Sequence, residues 1–393
     1  MTLWINTLDA DSVGFFQNAV ADFTASNPNV TIRLEKYDYQ DDYDSKLSSA
    51  LSAPGTAPDI FFQSGGRSFY DRAQAGQLAD LSSLISPATQ KAYGNAPFSA
   101  FSVGGRVYAI PYGVGLGGLY YSRDLFQQAG VDASAIRTID DLSHAVDLLE
   151  AENITPIVVA GGAVWPASHW YYYFVVRECS KDALESNSLT MRFTDACWAT
   201  AAANLKDFVA TRPFQDDFLT ISEYESGGAV DQMANHQAAM ELNGTWYPET
   251  LAMFTNDGRP LGDLGWFPFP AVNGGQGDSK AMLGGEDAYS CSSQAPQPAC
   301  ADFLNFLAQD KYQRDYANTF KVIPANKNAH DILTDPALRE VSAAYQQAPY
   351  LVTWLDAQYT ADVSRSLNSA VLDLIAGRVS VDQMIAQLRR AAG

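Results

Sequence analysis

Two hydrophobic periods alternate along the first hundred residues. Residues 2–8 read as an apolar strand, and Phe15, Phe16, Ala19, Val20 and Phe23 then recur at helical spacing behind Ser12 as a cap. Asn27-Pro28-Asn29 ends that helix, and Val30-Thr31-Ile32-Arg33-Leu34 alternates as a half-buried strand. A helix around Asp42–Leu51 follows. Pro58-Asp59-Ile60-Phe61-Phe62 is then a short continuous apolar run, the pattern of a strand covered on both faces. A helix over 68–75, closed by Gly76, completes a β-α-β-α-β series. That series predicts a parallel sheet layered by helices, with ligands beyond the carboxyl ends of its strands.

After Gly104-Gly105 and the run Tyr108-Ala109-Ile110-Pro111-Tyr112, a second αβ series begins. The periodicity places helices at 123–129 and 138–152, a strand at 155–160, and a long aromatic helix from about 168. The tail reads differently, with helices near 300–317, 335–347, 359–376 and 380–391. No Pro- or Gly-rich linker separates these parts, which suggests lobes that interchange chain segments. The fold class is α/β.

Composition narrows the functions. With 393 residues, 47% hydrophobic and only 18% charged, the chain has material for two large domains or three ordinary ones and is not disordered. Its 25 basic and 45 acidic residues give a net charge of −20, so no basic stripe is available for nucleic acid or an anionic membrane. No apolar run reaches the length of a membrane span. Met1-Thr2 leads at once into the strand, and the expectation is a mature domain lacking its secretion segment.

Four cysteines lie as two close pairs, Cys179 with Cys197 and Cys291 with Cys300, without metal-ligand spacing. They are either four buried thiols of a cytosolic protein or two local disulfides of an oxidising compartment; the even count and local pairing favour disulfides. GxSxG, HExxH and P-loop motifs are missing. His144, His169, His236 and His330 are scattered, and each reads as a packing or surface histidine. Gly113, Gly115 and Gly118 match GxGxxG, but Leu119-Tyr120-Tyr121-Ser122 reads as strand where a dinucleotide site needs a helix N-terminus. Neither metal nor cofactor is expected.

Adjacent acids (Asp41-Asp42, Asp216-Asp217) read as solvated faces. Glu286-Asp287 differs, because it follows Gly284-Gly285, where backbone can approach another molecule closely. Tryptophans beside turn residues are the strongest local signal: Trp246 in Asn243-Gly244-Thr245-Trp246-Tyr247-Pro248, Trp165 and Trp170 after Gly161-Gly162, and Trp354 beside Asp356. Flat apolar rings next to hydrogen-bonding groups suit a sugar, whose C–H face stacks while its hydroxyls bond in the ring plane. The run Tyr171-Tyr172-Tyr173-Phe174 reads as core, since four consecutive helical rings cannot face one pocket.

Read in order, Leu3-Trp4-Ile5-Asn6, Ala57-Pro58-Asp59-Ile60-Phe61-Phe62, Gly76-Gln77-Leu78-Ala79-Asp80-Leu81, Tyr108-Ala109-Ile110-Pro111, Tyr121-Ser122-Arg123-Asp124-Leu125-Phe126, Asn243-Gly244-Thr245-Trp246 and Val322-Ile323-Pro324-Ala325 resemble the extracytoplasmic solute-binding proteins of carbohydrate ABC importers, the maltose-binding-protein-like group. The likeness covers essentially the whole chain. It implies a type II periplasmic-binding-protein-like fold: two α/β lobes with interchanged segments, joined by a hinge, with ligand in the interlobe cleft. The lobes would be 1–110 with 288–322, and 111–287 with 323–393.

Carried over residue by residue, the resemblance implies Trp246 as the stacking platform, Gln63, Ser64 and Arg67 as contacts after the third strand, and Glu286 as a contact from the second hinge. It also implies Asp9 and Asp42 as hydroxyl acceptors, Tyr112 beside the hinge crossing, and Trp165, Trp170, Trp354 and Asp356 in aromatic subsites. Gln63 stands where the maltose-binding pattern has tryptophan, and glycine replaces an acid around Gly113–Gly118, which points away from maltose itself. The expected protein is not an enzyme. It is a monomer that captures a neutral di- or oligosaccharide outside the membrane, in the periplasm or as a tethered lipoprotein, and delivers it to the permease by hinge closure. The alternatives are a glycoside hydrolase acting on oligosaccharides, and a binding protein for an amino sugar, an amine or a sugar phosphate.

Overall fold

In the computed structural model the described residues are all of the chain except 8–9, 38–42, 54, 95, 260 and 321. They form two compact units, residues 1–115 with 285–333, and 116–284 with 334–393. The chain therefore passes between units three times.

In the first unit Thr2–Ile5 is flanked by Arg33–Lys36 and Ile60–Ser64, both parallel to it. The strand Met282–Cys291 lies antiparallel to Ile60–Ser64, pairing Asp287 with Ser64 and Cys291 with Ile60, and Ala109–Leu116 and Ile323–Pro324 follow outward. Leu3, Ile5, Ile60 and Phe61 are wholly buried, as a strand covered on both faces requires. The helix Ala10–Ser26 seats Phe15, Phe16, Ala19 and Phe23 against this sheet. It starts ahead of Ser12, which is a buried first-turn residue and not the cap. The second strand also starts later than the alternation suggested. Val30 N–H bonds back to Asn27 O at 2.9 Å, so the turn consumes the first residues of the apolar run.

The second unit holds a four-stranded sheet in the order Leu264–Phe267, Gly118–Ser122, Ala238–Asn243, Thr155–Ile157. The last strand stops short of residue 160 because the Gln215 amide takes both Val159 N–H and C=O, at 3.0 Å each, in place of a strand neighbour. Its central helix, Trp165–Glu178, is buried from Pro166 onward. The aromatic run does radiate as core: Tyr171 O–H donates to Trp198 O (3.0 Å) and Tyr173 O–H to Gly117 O (2.6 Å), while Tyr172 bonds Asn368. The Arg177 guanidinium, 2% exposed, donates to the carbonyls of Phe269, Pro270, Asp278 and Ala281 at 2.8–3.2 Å. Carbonyl dipoles thus solvate a buried cation.

Gly113 and Gly115 lie within the strand Ala109–Leu116 and Gly118 opens the strand Gly118–Ser122, so no helix follows them. One tail helix divides into two shorter ones, whereas the helix expected over 359–376 is present as Ala361–Ile375. Buried Asn326 takes Ala308 O at 3.1 Å and Asp310 Oδ1 at 2.8 Å, fixing the break between Gln297–Leu307 and Asp310–Phe320. Extended Tyr359 separates Leu355–Gln358 from Ala361–Ile375. Disulfides join Cys179 to Cys197 and Cys291 to Cys300, each within one unit. Among the described residues no helix is long and apolar enough to cross a membrane.

Candidate functional site

In the second unit three segments distant in sequence bring half-buried tryptophans together. Trp246 follows the strand Ala238–Asn243, Trp165 opens the helix Trp165–Glu178, and Trp354 follows the strand Leu351–Thr353. The ring centroid of Trp246 lies 6.2 Å from Trp165 and 6.0 Å from Trp354. His169 completes the group, stacked on Trp354 at 4.2 Å and 4.9 Å from Trp165. Trp165 and His169 stand one helical turn apart, so the helix presents both on one stripe. Burial pushes the His169 imidazole down to about 3, so it is a neutral ring at ordinary pH.

The backbone beneath these rings is glycine for steric reasons. A Cβ on Gly244 would sit 2.2 Å from the Trp246 ring, and one on Gly117 2.9 Å from Trp354. A Cβ on Gly161 or Gly162 would strike the carbonyls of Phe218 and Ile221 at 2.4 and 2.6 Å. Those two glycines let the loop before Trp165 lie flat on residues 218–221, with Gly161 N–H and Gly162 N–H bonded to the same carbonyls at 2.6 and 3.0 Å. Val164 completes the turn at φ 68°, a strained conformation for a β-branched residue.

Tyr224, half exposed, extends the aromatic surface beside Trp246. Directly behind lie two buried acids, Glu223 and Glu241, each 1% exposed. Asn243 Nδ2 donates to both, at 2.7 and 3.2 Å.

Not every predicted residue joins this group. Trp170 is core: 1% exposed, it stacks on Phe208 at 5.4 Å and meets Phe214 and Phe269 edge-on. Its place in the helix, one residue beyond His169, turns it away from the stripe. Asp356 is turned toward Asn368 and Tyr172, and burial pushes its carboxyl up.

In the first unit the predicted contacts gather at the carboxyl end of Ile60–Ser64. Gln63 Nε2 donates to Ser290 Oγ at 2.6 Å, and Ser64 Oγ to Asp287 Oδ1 at 2.7 Å. Gln63 Oε1 and Glu286 Oε2 are both buried, and among the described residues neither has a hydrogen-bond partner. Burial, then the Asp287 charge, holds the Glu286 carboxyl well above the usual range, and burial pushes Asp287 up to about 6. Tyr112 is 6% exposed and packs on Tyr289 and Tyr316 in the core. Arg67 is engaged with Asp71 one turn along its own helix. Asp9 and Asp42 lie outside the described residues.

A separate hollow of about 890 Å³ in the second unit, bounded by Tyr121, Trp266, Phe267 and the Arg123–Glu340 ion pair, contains none of the predicted residues. Among the described residues Asp124, His236 and Asp263 bring possible metal-ligand atoms within 4.8 Å of one another. There His236 Nε2 already hydrogen-bonds Asp263 at 3.1 Å, a surface pair that explains the group.

Sequence reasoning missed His169, Tyr224 and the Glu223–Glu241 pair. An acid inside the otherwise apolar strand Ala239-Met240-Glu241-Leu242 was the available signal for the pair.

A model of the bacterial extracellular solute-binding proteins matches residues 9–314. The chain is 23% identical over 330 residues to an uncharacterized ABC transporter extracellular-binding protein of Pyrococcus horikoshii, covering 82% of this chain and 71% of that one. It is 20% identical over 352 residues to the multiple sugar-binding protein of Streptococcus mutans, covering 87% and 79%. Among solved structures it is similar to a chitin oligosaccharide binding protein, with a TM-score of 0.81, 23% identity, and 100% and 97% of the two chains covered.

Proposed function

We propose, from the premise that this chain belongs to the bacterial extracellular solute-binding protein family, that it captures a neutral di- or oligosaccharide outside the membrane and delivers it to an ABC permease. The observation that carries the sugar reading is the group of half-buried Trp165, Trp246 and Trp354 rings around neutral His169. Such faces stack on the C–H side of pyranose rings, and more than one of them suits more than one sugar unit. The relatives named for multiple sugars and chitin oligosaccharide support the same class.

In the first unit, considered by itself, Gln63 and Glu286 are the proposed hydroxyl contacts. Each holds a buried oxygen without a hydrogen-bond partner among the described residues, and burial pushes the Glu286 carboxyl toward its neutral form, which can both donate and accept. Hydrogen bonds of ~1 kcal/mol each, together with ring stacking, suit micromolar affinity, about −8 kcal/mol, which still permits release. Both disulfides accord with an oxidising, extracytoplasmic location.

Binding without chemistry fits the acids on hand. Glu223 and Glu241 are each 1% exposed and bridged by Asn243 behind the platform, so a sugar stacked on Trp246 does not reach them. The test is thermal shift and tryptophan fluorescence against α- and β-linked neutral oligosaccharides, amino sugars and sugar phosphates. Saturable stabilisation by a neutral oligosaccharide, with no product on long incubation, is expected. Slow hydrolysis, or a response to sugar phosphates alone, would overturn the reading.

A further inference from the structure

Two acids buried side by side need an explanation that stacking on tryptophan does not supply. Glu223 belongs to the loop before the helix Ala229–Ala234, and Glu241 to the strand Ala238–Asn243. Asn243 Nδ2 bridges Glu223 Oε1 and Glu241 Oε1. The other Glu241 oxygen takes the Tyr247 hydroxyl, whereas Glu223 Oε2 finds no donor among the described residues. One amide nitrogen reaching both carboxyls, at 2.7 and 3.2 Å, brings the two groups side by side.

Among the described residues no positive charge compensates them. The groups facing the pair are Tyr224 on the loop, Asn243 on the strand, Tyr247 on the helix Tyr247–Ala252, and Tyr120 on the strand Gly118–Ser122, its ring 5.0 Å from that of Tyr247. Two desolvated carboxylates without a cation are too costly to coexist, so a proton must hold them together. Burial accordingly raises both.

The bridge leads straight to the platform. Asn243 Oδ1 accepts Gly244 N–H at 2.8 Å, and Gly244 is the residue under the Trp246 ring. On the other side Glu223 is followed by Tyr224, which lies beside Trp246. Val230 N–H holds Glu223 O at 3.2 Å, so the acid's backbone is anchored to the helix behind it.

We propose that the Glu223–Glu241 pair is a positioning device for Trp246 and Tyr224, whose bridging proton joins the 222–228 loop to the strand and makes carbohydrate affinity fall in alkali. The inference rests on the reading of Trp246 as a ligand platform. When the proton leaves, mutual repulsion separates loop from strand, and the turn carrying Trp246 loses its support. The phenols nearby are all held above their ordinary range by burial, so they do not titrate first.

Two measurements test this. In the first, calorimetric titrations with chitotriose, cellotriose, maltotriose and raffinose are run near pH 6 and near pH 9.5 on wild type, Glu241→Gln and Glu223→Gln. A glutamine amide donates to the remaining carboxylate as the shared proton does, without titrating. Wild-type affinity should drop about tenfold, the effect of one unit of pKa difference between free and bound forms, and the ratio between the two pH values should approach one in either variant. In the second, with no sugar present, acrylamide quenching of wild type is compared with Trp246→Phe. The contribution of Trp246 should become more quenchable near pH 9.5 in wild type and stay constant with Glu241→Gln, with circular dichroism confirming folded protein throughout. An equal pH ratio in wild type and variants, or quenching of Trp246 that ignores pH, overturns the inference. Failure of every sugar at both pH values overturns the carbohydrate reading instead, and the sugar-free quenching still decides the role of the pair.

Discussion

Replacing Trp246 by alanine isolates the stacking contribution. The indole is half-buried against Trp165 and Trp354 at about 6 Å, so one part of its surface packs on protein and the rest is open. A whole tryptophan side chain buries roughly 200 Å², which leaves on the order of 80 Å² for a sugar ring to cover. At about 25 cal/mol per Å² this is ~2 kcal/mol, or a roughly thirtyfold weaker Kd. The cost in stability should be smaller, ~1 kcal/mol, because the ring is packed on one side only. Calorimetry with the best-binding oligosaccharide reads the first quantity and urea unfolding the second. The fold should survive, since the Asn243–Gly244 bond and the Tyr247–Glu241 bond do not involve the indole. A folded variant with unchanged Kd would refute the assignment of Trp246 to the site.

Arg177→Met should lower unfolding free energy by about 3 kcal/mol or more, because the carbonyls of Phe269, Pro270, Asp278 and Ala281 lose their donor; urea denaturation measures it. His169 is depressed to about 3, so unfolding binds a proton as pH falls from about 6.5 toward 3, and wild type should lose stability across that window. His169→Phe keeps a stacked ring and should remove this part of the acid-side loss, read as melting temperature against pH. Glu286 has the opposite sign: its carboxyl is raised, so stability is fullest below its unfolded value and is lost as pH rises. Glu286→Gln should therefore stabilise the protein at neutral pH while weakening sugar binding, seen by melting with and without ligand. Reduction of the Cys179–Cys197 disulfide, which spans 18 residues, should cost about 3 kcal/mol on the chain-entropy model, with a matching fall in the denaturation midpoint.

The sheet of the first unit was legible because burial on both faces writes a continuous apolar run, as in Ile60-Phe61-Phe62. Boundaries were harder. Side chains decide where pairing stops: Gln215 ends one strand and Asn326 divides one helix, and neither partner is near in sequence. The tryptophan turns could be read because Gly244 and Gly161-Gly162 mark close approaches. Trp170 and Tyr112 carried the same residue types, but position on a helix or in a packed sheet turned them into core. Tyr224 and Glu223 belong to irregular chain, where no periodicity reports exposure. Glu241 fills what the pattern treats as an ordinary strand position.

The order of strands in the first unit has a consequence for biogenesis. Met282–Cys291 is inserted between Ile60–Ser64 and Ala109–Leu116, so the first 115 residues cannot finish their sheet by themselves. During synthesis, amino end first, two strand edges stay open until residue 291 has followed. The chain has to be nearly whole before this unit closes, which exposes the nascent protein to edge-to-edge aggregation in the meantime. A truncation before residue 285 should therefore yield an aggregating product and not a stable amino-terminal fragment.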